Sequence, residues 1–278
     1  MNPVFWKVGS LEIRWYGIMI AIGFLAAVGL AVKRAKKTGF DAELVPNLSF
    51  WIILGGFTMA RALYVILNWQ NYVSHPIEII RIDHGGIVYY GGLVGGALAT
   101  FLYARRRKIS FWRLADLMTP SLVLAHAFGR VGCFINGCCY GRACSLPWGV
   151  EYAITTVVGW GPGAPIGPVH PTQLYEAAFL FYLCVALIFI DATKKFQGQT
   201  LASYGLLYSI FRFCIEFWRG DVPRFSDLTI AQWFSLLIFF TSWWWLTRQR
   251  KRWAAARRAA LMSEVEKLKA QHGPRKKE

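Results

Sequence analysis

Residues 15–32, 86–104 and 228–247 each run for eighteen or more positions without a charged side chain. At ~1.5 Å of helical rise per residue, such runs match the ~30 Å thickness of a bilayer's hydrocarbon core. Four further apolar blocks, 48–66, 114–129, 174–190 and 201–218, carry Arg61, Asp116, Glu176, Arg212 and Glu216. A helix facing lipid on all sides avoids such residues, so these blocks are expected to turn towards a shared polar interior. The sequence therefore predicts an all-α polytopic membrane protein with seven transmembrane helices. The first block is too long for the apolar core of a leader peptide and is followed by no small-residue cleavage site, so it is expected to remain as a span.

The formal net charge is +16, which in a soluble protein would suggest nucleic acid. Here the placement of the cations points to membrane topology, and no nucleic-acid partner is expected. Lys33, Arg34, Lys36 and Lys37 follow the first span; Arg105, Arg106, Arg107, Lys108 and Arg113 follow the third; Lys194 and Lys195 follow the fifth; the longest basic run begins at Arg248, after the seventh. The amino terminus and the other connections hold Lys7, Arg14, Arg81, Arg142, Arg219 and Arg224. The positive-inside rule then puts the amino terminus outside and the carboxyl terminus in the cytoplasm.

Two regions follow: a membrane domain over 1–247 and a basic cytoplasmic tail over 248–278. Trp253, Leu261, Val265 and Leu268 are spaced for one helical face of that tail. This suits either the anionic inner leaflet or a solvated helix that only fixes topology. Residues 132–173 form the longest outside connection and include Gly161-Pro162-Gly163-Ala164-Pro165-Ile166-Gly167-Pro168. Trp148, Tyr152 and Trp160 within it favour a folded extracytoplasmic cap between the fourth and fifth spans. Gly91, Gly92, Gly95 and Gly96 fall at small-xxx-small spacing, which permits close helix packing and also bare backbone for a headgroup to approach.

In this topology Tyr16, Tyr90, Arg130, Gln173, Glu176, Arg212 and Glu216 all lie towards the outer face, as does Arg61, whereas Asp116 lies near the inner end. A closed structural network of three arginines and three acids would explain neutrality. With Asp116 too far away, the outer cluster has surplus positive charge suited to a phosphate, and a phospholipid headgroup is the nearest phosphate at that depth. Cys133, Cys138, Cys139 and Cys144 form an outside group in which a disulfide is plausible. The C-x4-C-C-x4-C spacing, with no paired histidine nearby, does not resemble a common zinc site, so no metal and no cofactor is expected. Cys184 and Cys214 read as packing residues within spans.

Five segments carry a resemblance. Ile13-Arg14-Trp15-Tyr16-Gly17, Tyr90-Gly91-Gly92-Leu93-Val94-Gly95, the run from Gly129-Arg130 to Gly141, His170-Pro171-Thr172-Gln173-Leu174-Tyr175-Glu176 and Phe211-Arg212-Phe213-Cys214-Ile215-Glu216-Phe217-Trp218-Arg219 resemble, in order, the motifs of prolipoprotein diacylglyceryl transferases. The resemblance implies a multi-pass enzyme of the bacterial cytoplasmic (inner) membrane. It would move the diacylglyceryl group of phosphatidylglycerol to the lipobox cysteine of a preprolipoprotein, forming a thioether and releasing glycerol 1-phosphate. By the same resemblance Arg130 and Arg212 are essential; Tyr16 and Tyr208 are candidate hydrogen-bond donors to the headgroup or else packed tyrosines, and Gly91, Gly92, Gly141, Gln173, Glu176 and Glu216 are expected around the substrate.

The chain departs from that pattern in informative places. Tyr90 stands where many members have a histidine proposed as base, and Cys133 and Cys138 stand where many have asparagine and glutamate. Three sources of thiol deprotonation remain open at this stage: Tyr90 as catalytic base, His84 or His170, or a positively charged pocket that acidifies the substrate thiol without a dedicated base. A transporter would be expected to spread its polar residues through the bilayer and to show a repeat. A receptor-like scaffold would leave the arginines without a purpose.

Overall fold

The structure is a computed structural model that describes residues 3–8, 11–73, 76–81, 86–152, 167–220, 224–225 and 227–272. The described residues form seven α-helices: α1 Trp15–Lys37, α2 Leu44–Leu67, α3 Tyr89–Arg106, α4 Phe111–Asn136, α5 Thr172–Ala192, α6 Gln199–Ile215 and α7 Ile230–His272. Each overlaps one of the apolar blocks. By length and composition α1, α2, α4 and α5 can cross a membrane, so the fold is an all-α, membrane-spanning one. The exterior agrees: Leu25, Phe50, Ile66, Tyr182 and Phe189 are each more than 60% exposed, as expected of helices whose outer solvent is hydrocarbon.

Two short antiparallel ribbons were not anticipated. β1 (Val4–Val8) pairs with β2 (Leu11–Arg14), and Lys7 bridges Glu12 across them at 2.9 Å. The Trp15 N–H donates to the Pro3 carbonyl and ties this ribbon to the start of α1. The second ribbon, β3 (Arg224–Phe225) with β4 (Leu228–Thr229), leads into α7.

Helix pairing follows the small residues. α2 packs chiefly on α3, α1 on α4, α4 on α5, and α6 on α7. A Cβ at Gly91 would lie 2.5 Å from the Met59 carbonyl oxygen, and one at Gly95 would collide with the Gly55 carbonyl, so α2 and α3 touch backbone to backbone. Gly92 has slack, its nearest neighbour being Gly56 O at 3.8 Å. One core unites Ala31 and Ala35 of α1, Val45 and Leu48 of α2, Ala104 of α3, and Leu114 and Leu117 of α4. A second joins Val123 and Ala127 of α4 to Leu180, Leu183 and Leu187 of α5.

Pro120 sits inside α4 and cannot donate to the carbonyl one turn earlier. Arg34 answers that loss: its guanidinium donates to the Asp116 carbonyl at 3.3 Å and also to the Leu117 carbonyl. Arg34 thus does more than mark topology. It is buried, and pairs with Asp191 at 2.8 Å. The Asp116 carboxylate is fully buried and accepts from the Gly198 and Leu201 N–H groups at the start of α6, at 2.8 and 3.1 Å, and from Lys194 at 3.1 Å. An acid at a helix amino terminus satisfies orphan donors and the local dipole together. Asp116 therefore belongs to a network with Arg34, Asp191 and Lys194, apart from the arginines discussed next.

Arg61 is also diverted from that group. Its guanidinium donates to the carbonyls of Glu78, Ile79, Arg81 and Gly86, which fastens the connection from α2 to α3. His84, Trp160 and residues 161–166, singled out from the sequence, lie outside the described residues.

Candidate functional site

Arg130 lies on α4 two turns before the helix ends at Gly137, whose φ of 71° stops it. Its Nε faces Glu176 Oε2 of α5 at 3.0 Å. The other oxygen of Glu176 accepts from the Tyr208 hydroxyl of α6 at 2.7 Å and lies 3.6 Å from His126 Nε2. Glu176 is 2% exposed, so a charge that would be costly alone is held by an arginine, a phenol and an imidazole. Arg130 uses Nε for this contact, which leaves its two terminal nitrogens unclaimed by any described residue.

A second group adjoins the first. Arg212 Nη1 of α6 pairs with Glu216 Oε2 at 2.7 Å, and Arg219 Nε lies 4.0 Å from that same oxygen. The other Glu216 oxygen accepts from Thr229 Oγ1 at 2.9 Å, while Gln232 accepts from the Thr229 N–H. The start of α7 is thereby tied to the end of α6. Arg212 and Arg130 both act electrostatically on Glu176, so the two groups form one field. In the ion pairs of this group three guanidiniums, those of Arg130, Arg212 and Arg219, share two carboxylates, those of Glu176 and Glu216.

Of the residues expected at the site, Arg130, Glu176 and Tyr208 meet directly, and so do Arg212 and Glu216. Tyr16 packs on Gly132, two residues beyond Arg130; a Cβ at Gly132 would lie 3.2 Å from its ring. Tyr90 has its ring 5.7 Å from that of Phe234 in α7 and half its surface exposed. Gly91 and Gly92 line the α2 contact described above. A cavity of about 900 Å³ on the α2–α3 face, lined by Trp51, Leu54, Met59, Leu98 and Leu102 among others, shares no residue with the arginine group.

Gly141 serves close packing. A Cβ there would fall 2.6 Å from the Trp218 carbonyl oxygen and 2.7 Å from His170 Cβ. That proximity lets the described part of the cap knit to the turn after α6: Gly141 N–H donates to the His170 carbonyl, His170 N–H to the Arg142 carbonyl, and Arg142 N–H to the Trp218 carbonyl. His170 is engaged within the cap, its Nδ1 lying 3.4 Å from the Tyr175 hydroxyl, which accepts from Trp148 Nε1 at 2.8 Å. Gln173 is buried and donates to the Cys138 carbonyl at 2.7 Å and to Tyr152 at 3.2 Å. Burial pushes the Tyr152 phenol up to about 12.

Cys133, Cys138 and Cys139 converge with their sulfurs within 4.8 Å of one another and none is in a disulfide. Hydrogen bonds from the other two thiols, helped by Arg219 and Arg130, hold the Cys139 thiol well below its ordinary range. Cys184 is buried in a helix contact and donates to the Pro120 carbonyl at 3.2 Å.

Sequence reasoning missed His126 and undervalued Arg219. His126 precedes Arg130 by four residues, which puts both on one face of a helix. Arg219, which closes the Phe211–Arg219 motif without a role of its own in the sequence, follows Glu216 by three residues and reaches its carboxylate.

The chain also has close relatives. The family model described as prolipoprotein diacylglyceryl transferase matches residues 3–248. The chain is 37% identical over 242 residues to the phosphatidylglycerol–prolipoprotein diacylglyceryl transferase of Clostridium tetani, covering 85% of this chain and 93% of that one. The proteins of the same name from Clostridioides difficile and Trichormus variabilis are each 37% identical, covering 85% and 84% of this chain and 91% and 85% of theirs.

Proposed function

The chain belongs to the prolipoprotein diacylglyceryl transferase family, and from that premise we propose how it moves the diacylglyceryl group of phosphatidylglycerol to a prolipoprotein cysteine. Arg130 and Arg212 hold the headgroup phosphate, with Arg219 adding charge. The observation that carries this reading is the Arg130 guanidinium, anchored through Nε to Glu176, with its terminal nitrogens left by the described residues for a bidentate phosphate contact.

In the reaction the substrate thiolate forms a C–S bond to the glycerol carbon that bears the phosphate ester, and the C–O bond to phosphate breaks. The electron pair leaves with the phosphate, and glycerol 1-phosphate departs. Charge grows on the phosphate oxygens as that bond breaks, where fixed guanidiniums stabilise it most. Glu176 and Glu216 keep the arginines in place before substrate arrives, so little reorganisation is needed. Tyr16 and Tyr208 border the headgroup, Gly141 and Gln173 hold the adjoining turn of the cap in place, and Gly91 and Gly92 seat the Tyr90 end of α3 on α2. Tyr90 is the proposed proton acceptor, its phenolate oxygen taking the proton of the incoming thiol to give the phenol and the attacking thiolate; its place at the start of α3 and its accessible ring support this.

The topology proposed with this site is seven spans over 1–247, amino terminus outside, a cap over 132–173 and a cytoplasmic tail over 248–278. Cation placement after α1, α3, α5 and α7 supports it. Both substrates, a lipid and a signal-helix precursor, then reach the site within the bilayer of the cytoplasmic membrane.

The test is direct: purified protein is mixed with phosphatidylglycerol and a lipobox peptide, and the peptide's mass is followed. A diacylglyceryl adduct on cysteine, lost in Arg130→Ala and Arg212→Ala, is the expected result. An unmodified peptide with the folded wild-type protein, or full transfer by both variants, overturns the reading.

A further inference from the structure

The transfer proposed above assigns no step to the thiol cluster at the end of α4, since the incoming substrate brings its own thiol. We propose that Cys133, Cys138 and Cys139 form a binding site for a thiophilic d10 cation, Zn(II) or Cu(I).

Geometry is the first argument. A metal–sulfur bond of about 2.3 Å requires sulfurs about 4 Å apart around one ion. The three Sγ atoms already lie within 4.8 Å of one another, so small side-chain adjustments bring all three to one metal. All three cysteines are partly buried, which shields such a centre from competing water.

Backbone conformation is the second. Two left-handed residues in quick succession, Gly137 at φ 71° and Cys139 at φ 64°, fold the segment back on the helix end. Glycine adopts that region freely, whereas a residue with a Cβ does so at a cost of about 1 kcal/mol or more. A glycine at 139 would relieve the strain and lose the thiol. The turn is also clamped from α5: Thr172 Oγ1 donates to the Cys139 carbonyl at 3.0 Å and Gln173 Nε2 to the Cys138 carbonyl at 2.7 Å. A metal-binding loop needs such support, because outer hydrogen bonds orient the ligands.

Charge is the third. Three thiolates with Zn(II) carry −1 and with Cu(I) −2, and Arg130 and Arg219 lie within electrostatic reach of Cys139. Soft thiolate donors favour these two ions over hard cations such as Mg(II) or Ca(II). The linear spacing concealed the site because the metal would be gripped by one turn, without the paired C-x2-C arms of common zinc modules.

The test uses the full chain in detergent, reduced and stripped of metal under anaerobic conditions. It is titrated separately with Zn(II) and with Cu(I) against a competing chelator, with bound metal measured by mass spectrometry. One ion per chain of either metal supports the site, and the stronger competitor identifies it. Cys133→Ser, Cys138→Ser and Cys139→Ser should each weaken binding by more than about 100-fold, beyond the loss of an outer hydrogen bond. Cys214→Ser, on the exposed side of α6, should not. Cd(II) gives a readout independent of folding losses, since its thiolate charge-transfer absorbance falls stepwise as each cysteine is removed from a protein that remains monodisperse. The proposal is overturned if the folded wild-type protein retains neither ion, if the triple serine variant retains as much, or if thiol-blocked extracts show a disulfide within the trio.

Discussion

Arg130 and Arg212 are each paired with a glutamate, yet pairing does not neutralise their purpose. An arginine held by one nitrogen keeps its planar fork aimed, and lysine cannot reproduce that. Arg130→Lys and Arg212→Lys should each lower the rate of peptide modification by on the order of 100-fold or more, the usual cost of removing one donor to a developing anion. Tyr208→Phe removes a 2.7 Å hydrogen bond to Glu176 and little else; a roughly tenfold fall in transfer is expected, from about 1.5 kcal/mol for a hydrogen bond to a charged group. Tyr90→Phe keeps the ring against Phe234 and isolates the hydroxyl. A fall of about 100-fold is expected for a base, whereas near-normal transfer in the same assay would remove Tyr90 from that role and leave the arginine field to acidify the incoming thiol. The residue identities were legible in the sequence because charged groups are rare in apolar blocks. Their partners were less so: Arg61 counts equally with Arg130 along the chain, and only the fold shows it spent on loop carbonyls.

At the scale of elements, all seven helices could be read from hydrophobic runs, while their ends could not. α1 continues five residues past its apolar block to Lys37 because Arg34 is drawn inward by Asp191 and by the carbonyl that Pro120 leaves free. The two ribbons, one before α1 and one before α7, carry no alternating pattern, because their strands are too short for one to show. Asp116 shows how far apart the polar networks lie. It caps α6 from α4, so Asp116→Asn should destabilise the protein by about 2 kcal/mol, seen as a lower thermal midpoint in detergent, and should leave the affinity for phosphatidylglycerol unchanged. Gly141→Ala is the contrasting case. The new methyl meets Trp218, His170 and Thr172 at under 3 Å, so stability should fall by ~1–3 kcal/mol. Transfer should fall with it, because that contact positions the turn bearing Glu216 and Arg219.

At the scale of the whole molecule, α7 is the outlier. It runs unbroken for 43 residues, or about 64 Å, against a hydrocarbon core of about 30 Å. The proposed division at 247 between span and tail falls inside this helix, with no break in it. In the proposed orientation roughly half of α7 stands clear of the bilayer. Trp253 braces its first turns, with Lys195 over one face of the ring at 4.9 Å and Arg257 at 5.3 Å. Electrostatic reach at physiological salt is about 8 Å, some five residues of helix. Arg248, Arg250, Lys251 and Arg252 fall within it. A chain ending after residue 258 should accordingly keep its insertion and orientation, as read by protease protection of tagged ends. In the same proposed orientation, with α7 upright in the bilayer, Lys267 and Lys269 stand past the range at which anionic lipid is felt, and their charge is presented to the aqueous phase.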